Sequence, residues 1–234
     1  MKKLFLAIAM LLVASVSFAF DGDMTDDLDK LQKESVKRFK VSKSSGKIGE
    51  SMTLSEGLSK PYPGKPEEAA REFLKDYHKM FKLSKDLSEL KLDTERKSFM
   101  GHDVLYRQYH KGILVYRGGA SVLMDEQNRA YRVVVGIKNV DDLSVDPAIK
   151  PDELQGVLEK TAPEFGPIDS KPSLLIYFVE SGPVLAYQFV VFKDQKPYGL
   201  IVDSSTGQVL KAFCTVVDEK KTGKVLGKRQ NWVE

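Results

Sequence analysis

Histidine and cysteine are scarce in this chain of 234 residues: there are three histidines and one cysteine. A single cysteine, Cys214, cannot form an internal disulfide. The fold must therefore rest on buried apolar surface rather than on cross-links. Cys214 could pair with a second chain, but Phe213, Val216 and Val217 around it read as a strand, where free cysteine packs as a small hydrophobe. The chain is thus read as a monomer, with a Cys214-linked dimer as the alternative. Each histidine is followed by Lys or Asp, so the zinc-protease pattern His-Glu-x-x-His is absent. His102 and His110 fall on one strand pattern, roughly 27 Å apart at about 3.4 Å per residue. Both cannot reach one ion, since zinc ligands lie about 2 Å from the metal. No Ser/His/Asp arrangement and no glycine-rich phosphate loop stands out either. The expectation is a non-catalytic protein with no catalytic residue, no metal site and no cofactor.

Long apolar runs are equally rare. The one run, Leu4–Val16, follows Lys2 and Lys3 and ends at Ser17-Phe18-Ala19. It is short for a span of about 20 residues, and the small residues suit a signal-peptidase site after Ala19. Residues 1–19 are expected to be a signal peptide, making the mature chain exported, periplasmic or extracellular, with no membrane association after cleavage. A strong charge of either sign is lacking too, with 36 basic residues against 33 acidic. Cleavage would remove two of the lysines, Lys2 and Lys3, and bring the signs almost into balance. That leaves no electrostatic case for nucleic acid.

Periodicity organises the remaining chain. Asp26 to Lys40 carries Leu28, Leu31, Ser35, Val36 and Phe39 at helical spacing, acids first and bases last, which suits a helix dipole. Ser42 to Pro66 is rich in Ser, Gly, Lys and Pro and reads as a loop or extended arm. Pro66 opens a second helix with Ala69, Ala70, Phe73, Leu74, Tyr77 and Phe81 on one face. His78, within it, reads as an ordinary surface or boundary histidine.

From Leu90 the period becomes two. Val104, Tyr106, Gln108 and His110 alternate with Leu105, Arg107 and Tyr109. Lys111-Gly112 makes a turn, Gly118-Gly119 a bulge or close backbone approach, and Tyr131 to Ile137 a β-branched strand. Pro147 and Pro151 mark a boundary, followed by a short helix over Asp152 to Ala162 and four strands over Ser173 to Val217. The turn "DSSTGQVL" calls for Gly207 in the left-handed conformation. Helix-then-strands occurs on both sides of Pro147. The reading is an α+β protein of two subdomains, each a helix packed on an antiparallel sheet.

These residues carry a resemblance. Tyr106, Gln108, Tyr109, Gly112, Val115, Tyr116, Gly118, Gly119, Asp125 and Val133 to Val135, preceded by "AREFLKDYHKMFKLS", resemble the FTP segment of fungalysin and thermolysin propeptides. "LAYQFVVFKDQKPYGLIVDSSTGQVL" is similar to a PepSY domain. Together they cover most of residues 67–211. The resemblance implies a cystatin-like or PepSY-like fold, with 20–65 an N-terminal helix and arm, 66–146 FTP-like, 147–217 PepSY-like and 218–234 a tail. It also implies a partner, a secreted zinc metallopeptidase that such propeptides help to fold and inhibit. Tyr106, Tyr109, Tyr116 and Arg117, with Arg107, are then expected to form an exposed contact surface of interface composition. An ordinary half-buried sheet face is the alternative. Lys211 to Gly223, including Phe213, Thr215 and Val217, is the expected inhibitory segment. These 234 residues hold no catalytic domain, which departs from the family's pattern. "TGKVLGKRQ" is similar to the start of mature thermolysin-type enzymes through Gly223, Val225, Leu226 and Gly227. Three readings stay open: a propeptide-like protein acting in trans, a truncated metallopeptidase precursor, and a cell-envelope binding module unconnected to a protease.

Overall fold

The computed structural model describes residues 22–46, 49–140 and 142–215. Ala19, Val217 and the Gly223–Gln230 match lie outside them. The protein is α+β, with few helices and a large, mostly antiparallel sheet. Among the described residues no helix is long and apolar enough to cross a membrane.

The N-terminal helix α1 spans Gly22–Glu34. The stretch expected as a loop or arm instead forms a hairpin, β1 (Lys40–Gly46) and β2 (Gly49–Ser55). Its Ser- and Lys-rich sequence hides a hairpin because only Val41, Met52 and Leu54 reach the core, Val41 in part; the outward residues are polar. Helix α2 (Pro66–Asp76) starts as expected. Pro66 needs no hydrogen bond at the first helical position, and the Glu68 carboxylate accepts the Lys65 N–H at 3.0 Å. Ala69, Ala70, Phe73 and Leu74 are fully buried against the sheet.

Four strands follow: β3 (Leu90–Ser98), β4 (Gly101–His110), β5 (Ile113–Met124) and β6 (Ala130–Gly136). After the Pro-bounded connection come α3 (Leu154–Thr161), β7 (Ser173–Val179), β8 (Gly182–Lys193), β9 (Lys196–Asp203) and β10 (Val209–Cys214). Gly207 has φ 73° in the β9–β10 turn, as the sequence requires. There Asp203 accepts the N–H groups of Ser205 and Thr206 on its side chain and of Gly207 on its carbonyl.

The ten strands of the described residues join in one sheet, ordered β1-β2-β6-β5-β7-β8-β9-β10, with β4 and β3 branching from β5. The buried residues on it fall into separate clusters. One core packs α1 and α2 on β2, β4, β5 and β6, and another packs Leu154 and Leu158 of α3 on Tyr187, Phe189, Val191, Leu200 and Val202. Strand β5 joins the two halves. Its Gly119–Met124 part pairs with β4 and β6, while Leu114 and Val115 pair in parallel with β7. Between these parts β5 bulges: Arg107 faces Gly119, but Tyr109 faces Leu114. The glycine pair fits this bend. A Cβ on Gly119 would lie 2.2 Å from the Tyr106 carbonyl oxygen, and one on Gly118 would lie 2.4 Å from Gln108 Oε1.

Candidate functional site

The four residues expected on one exposed surface do not share one. Tyr106 is buried under α2, where its hydroxyl donates to the Glu67 carbonyl at 2.5 Å. Burial raises the pKa of this phenol, so it is held as a neutral donor. Tyr109 is half-buried, with the Lys91 ammonium 4.5 Å from its ring centroid. Tyr116 is also buried, at 2 % exposure, and only Arg117 is exposed. Alternation along β4 already sets Tyr106 and Tyr109 on opposite faces. Tyr116 is set apart by the bulge, where Tyr116 to Gly118 leave the β4–β5 ladder and Tyr116 is carried toward the other half. Arg107 is only half-exposed and pairs with Asp93 at 2.8 Å.

What the structure does bring together was not foreseen as a unit. The Lys211 ammonium donates to the Tyr116 hydroxyl at 2.8 Å, across 95 residues of sequence. It also lies 5.2 Å from the Tyr116 ring centroid and 5.4 Å from that of Phe213. The Arg117 guanidinium lies 5.6 Å from the Tyr116 ring, and Tyr177 packs against Tyr116 at 5.2 Å. Register explains Phe213 and Lys211. Ile201 faces Lys211 and Gly199 faces Phe213, so both β10 side chains share the β9 face opposite α3. Gly199 lacks a side chain where the Phe213 ring sits; a Cβ there would meet the ring at 2.4 Å. Leu175, Ala186, Ile201 and Tyr116 form the apolar floor of this face, and no helix residue belongs to that cluster.

The result is a basic and aromatic patch on the face of the second half opposite α3. It lies beside β10, the last strand of the sheet order. Beyond it, Thr215 is tied back by its N–H and hydroxyl to the Pro197 carbonyl, each at 3.0 Å. Cys214 ends β10 as a strand residue, but it is exposed rather than packed. The strand parity that buries Leu200 and Val202 under α3 stops short of the edge.

The histidines serve different neighbours. Strand β4 is unbroken from Gly101 to His110, which keeps His102 and His110 near its opposite ends. His102 Nδ1 is 2.9 Å from Glu95. His78 Nδ1 meets the Lys75 carbonyl at 2.9 Å, the ordinary boundary role expected of it. His110 differs: its Nε2 is shielded from solvent with no hydrogen-bond partner. His110 lines a cleft of about 680 Å³ with Gln108, Tyr109 and Lys138. The sequence reading passed over Lys138. Its signal was indirect, a polar Gln108 in the buried alternation Val104, Tyr106, Gln108, because a buried amide must find partners.

Comparison with known proteins adds little to this geometry. No family model matches the chain, and no curated protein matches it significantly. Among solved structures it is similar to the Bacillus megaterium YpeB C-terminal domain, at 14 % identity and a TM-score of 0.39, over 83 % of this chain and 97 % of that one. Likeness at that level assigns no activity.

Proposed function

We propose that the chain is an exported, non-catalytic binding module that inhibits a thermolysin-type metallopeptidase or assists its folding. The contact would be made by the face of the second half opposite α3 together with β10. The Tyr116–Lys211 hydrogen bond carries this reading. It joins Tyr116 to Lys211, the first residue of the expected inhibitory segment, with Arg117 and Phe213 beside them in one patch. Aromatic and arginine side chains of this kind anchor protein interfaces. An edge strand adds backbone groups that an extended partner segment can pair with. The sequence resemblance to propeptides points to the same class of partner.

The direct test is to assay thermolysin-type peptidases of the same cell with excess purified chain, and to measure their refolding yield in its presence. Inhibition or improved refolding is expected, and both should weaken in Arg117→Ala and Phe213→Ala. If no such peptidase is slowed and none refolds better, the reading fails.

A further inference from the structure

The cleft between the first core and β7 is a second candidate site, and its chemistry differs from that of the open patch. Its apolar wall is built by Met24 of α1, Met52 of β2, Met80 and Phe81 after α2, Ile137 after β6, and Phe178 of β7. The three methionines and Phe81 are buried members of the first core, so the fold itself holds most of this wall in place. Methionine is flexible and polarizable, and the wall can adapt to apolar bodies of varied shape. A volume of about 680 Å³ lies within the range of about 300–1,000 Å³ usual for small-molecule sites.

Every charged side chain of the lining is already engaged. Lys82 and Glu50, both well exposed, pair at 3.2 Å on the rim. Glu89 accepts the backbone N–H and the hydroxyl of Ser84. Lys43 and Lys138 have partners as well, and the Gln108 amide is taken up by the Lys138 backbone. A charged ligand would shed its water here without finding a free counter-charge, a cost that an uncharged ligand avoids. One polar atom of the lining stands apart. His110 Nε2 is shielded from solvent and has no hydrogen-bond partner. A buried nitrogen of this kind calls for a partner. A hydroxyl suits it in either tautomer of the ring, because a hydroxyl both donates and accepts.

We propose that this cleft binds one uncharged apolar molecule carrying a hydroxyl, its apolar body against the methionine and phenylalanine wall and its hydroxyl toward His110. The site is independent of any peptidase partner. Probes sharing one decyl chain test it: 1-decanol, decanoate and decyltrimethylammonium, each kept below its solubility or micellar limit. They compete for the purified full chain against N-phenyl-1-naphthylamine, a neutral dye that brightens in apolar surroundings. One equivalent of dye should bind, and 1-decanol should displace it at least about tenfold more effectively than either ion. Ile137→Trp, which fills the cleft from a half-buried position, should abolish binding of both dye and alcohol. His110→Phe keeps a ring but removes the nitrogen, and it should weaken 1-decanol about three- to tenfold. Lys82→Glu on the exposed rim should leave 1-decanol within about twofold, since an exposed charge contributes little beside a neutral ligand. Far-UV circular dichroism would verify that the variants fold, and the comparison of head groups on the unaltered chain decides the proposal even where one does not. Failure of 1-decanol to displace the dye, displacement by either ion as effective as by the alcohol, or unchanged 1-decanol affinity in folded Ile137→Trp or His110→Phe would each overturn it.

Discussion

The side-chain amide of Gln108 takes the place of a strand for the backbone of Lys138. Its Nε2 donates to the Lys138 carbonyl at 2.7 Å, and its Oε1 accepts the Lys138 N–H at 2.9 Å. Both residues are buried. The arrangement lies where β5 bulges away from β4, so an amide side chain satisfies backbone groups just past the end of β6. Gln108→Leu should therefore cost about 2–5 kcal/mol, because two buried backbone groups lose their partners. Denaturant unfolding monitored by circular dichroism measures it. A loss below about 1 kcal/mol would mean that water replaces the amide at no penalty.

Most of the fold was legible because its signals are local. Pro66, the apolar face from Ala69 to Leu74, and Gly207 each act through a few neighbouring residues and are where the sequence places them, whereas the helix ends at Asp76, before Tyr77 and Phe81. The β1–β2 hairpin was not legible, because a hairpin with one polar face and only Val41, Met52 and Leu54 toward the core has a loop's composition. The grouping of Tyr106, Tyr109 and Tyr116 failed for a different reason. Tyr106 and Tyr109 alternate to opposite faces of β4, and period-two reasoning does not carry across the Gly118-Gly119 bulge to Tyr116. The Tyr116–Lys211 contact depends on sheet order across the two halves, which no local pattern encodes.

Gly207 should resist substitution for two independent reasons. Its φ of 73° disfavours any side chain, and a Cβ would lie 2.2 Å from Val157 Cγ1 of α3. Gly207→Ala is expected to destabilise by more than about 1 kcal/mol. Gly112, with φ 85° but open space around it, should suffer only the conformational part. Thermal melts of the two variants side by side separate strain from collision, and equal losses would remove the α3 contact from the explanation.

The ion network that ties α1 to the body should give stability at both ends of the pH scale. Lys60 lies 2.6 Å from Glu34 and 3.4 Å from Asp76, and the Tyr77 hydroxyl donates to Glu34 at 3.3 Å. The hydrogen bond from Lys60 holds the Glu34 pKa below its ordinary 4.5. Its stabilisation is present above pH 4.5 and is lost as pH falls through the depressed folded value. The same bond raises the Lys60 pKa above 10.5, so that contribution is present below pH 10.5 and lost on raising pH through the folded value. Burial lifts Tyr77 to about 12, which adds to the alkaline loss from pH 10 upward. The Lys60 and Glu34 side chains are 39 % and 34 % exposed, so solvent screening limits their pair to about 0.5 kcal/mol. Glu34→Gln should flatten the acid limb of a stability–pH curve by about that amount. An unchanged limb would assign the acid loss to other carboxylates.

Tyr116 and Phe213 distinguish the fold from the surface it displays. Tyr116 is 2 % exposed and packs on Tyr177, so Tyr116→Ala should cost about 3–5 kcal/mol of stability through the cavity it leaves. Any loss of partner binding in that variant would be uninformative. Tyr116→Phe is the sharper change. It keeps the ring and removes only the hydroxyl that accepts the Lys211 ammonium at 2.8 Å, a bond to a partly exposed cation that should contribute about 1 kcal/mol. Phe213 rests half-exposed over Gly199 on the same face, so Phe213→Ala should lose little stability but remove an anchor from the patch. Chemical denaturation and a peptidase-inhibition assay should thus rank the variants in opposite orders. Stability should fall most in Tyr116→Ala, then Tyr116→Phe, then Phe213→Ala. Inhibition per folded molecule should fall more in Phe213→Ala than in Tyr116→Phe, and the reverse order would move the contact surface away from β10.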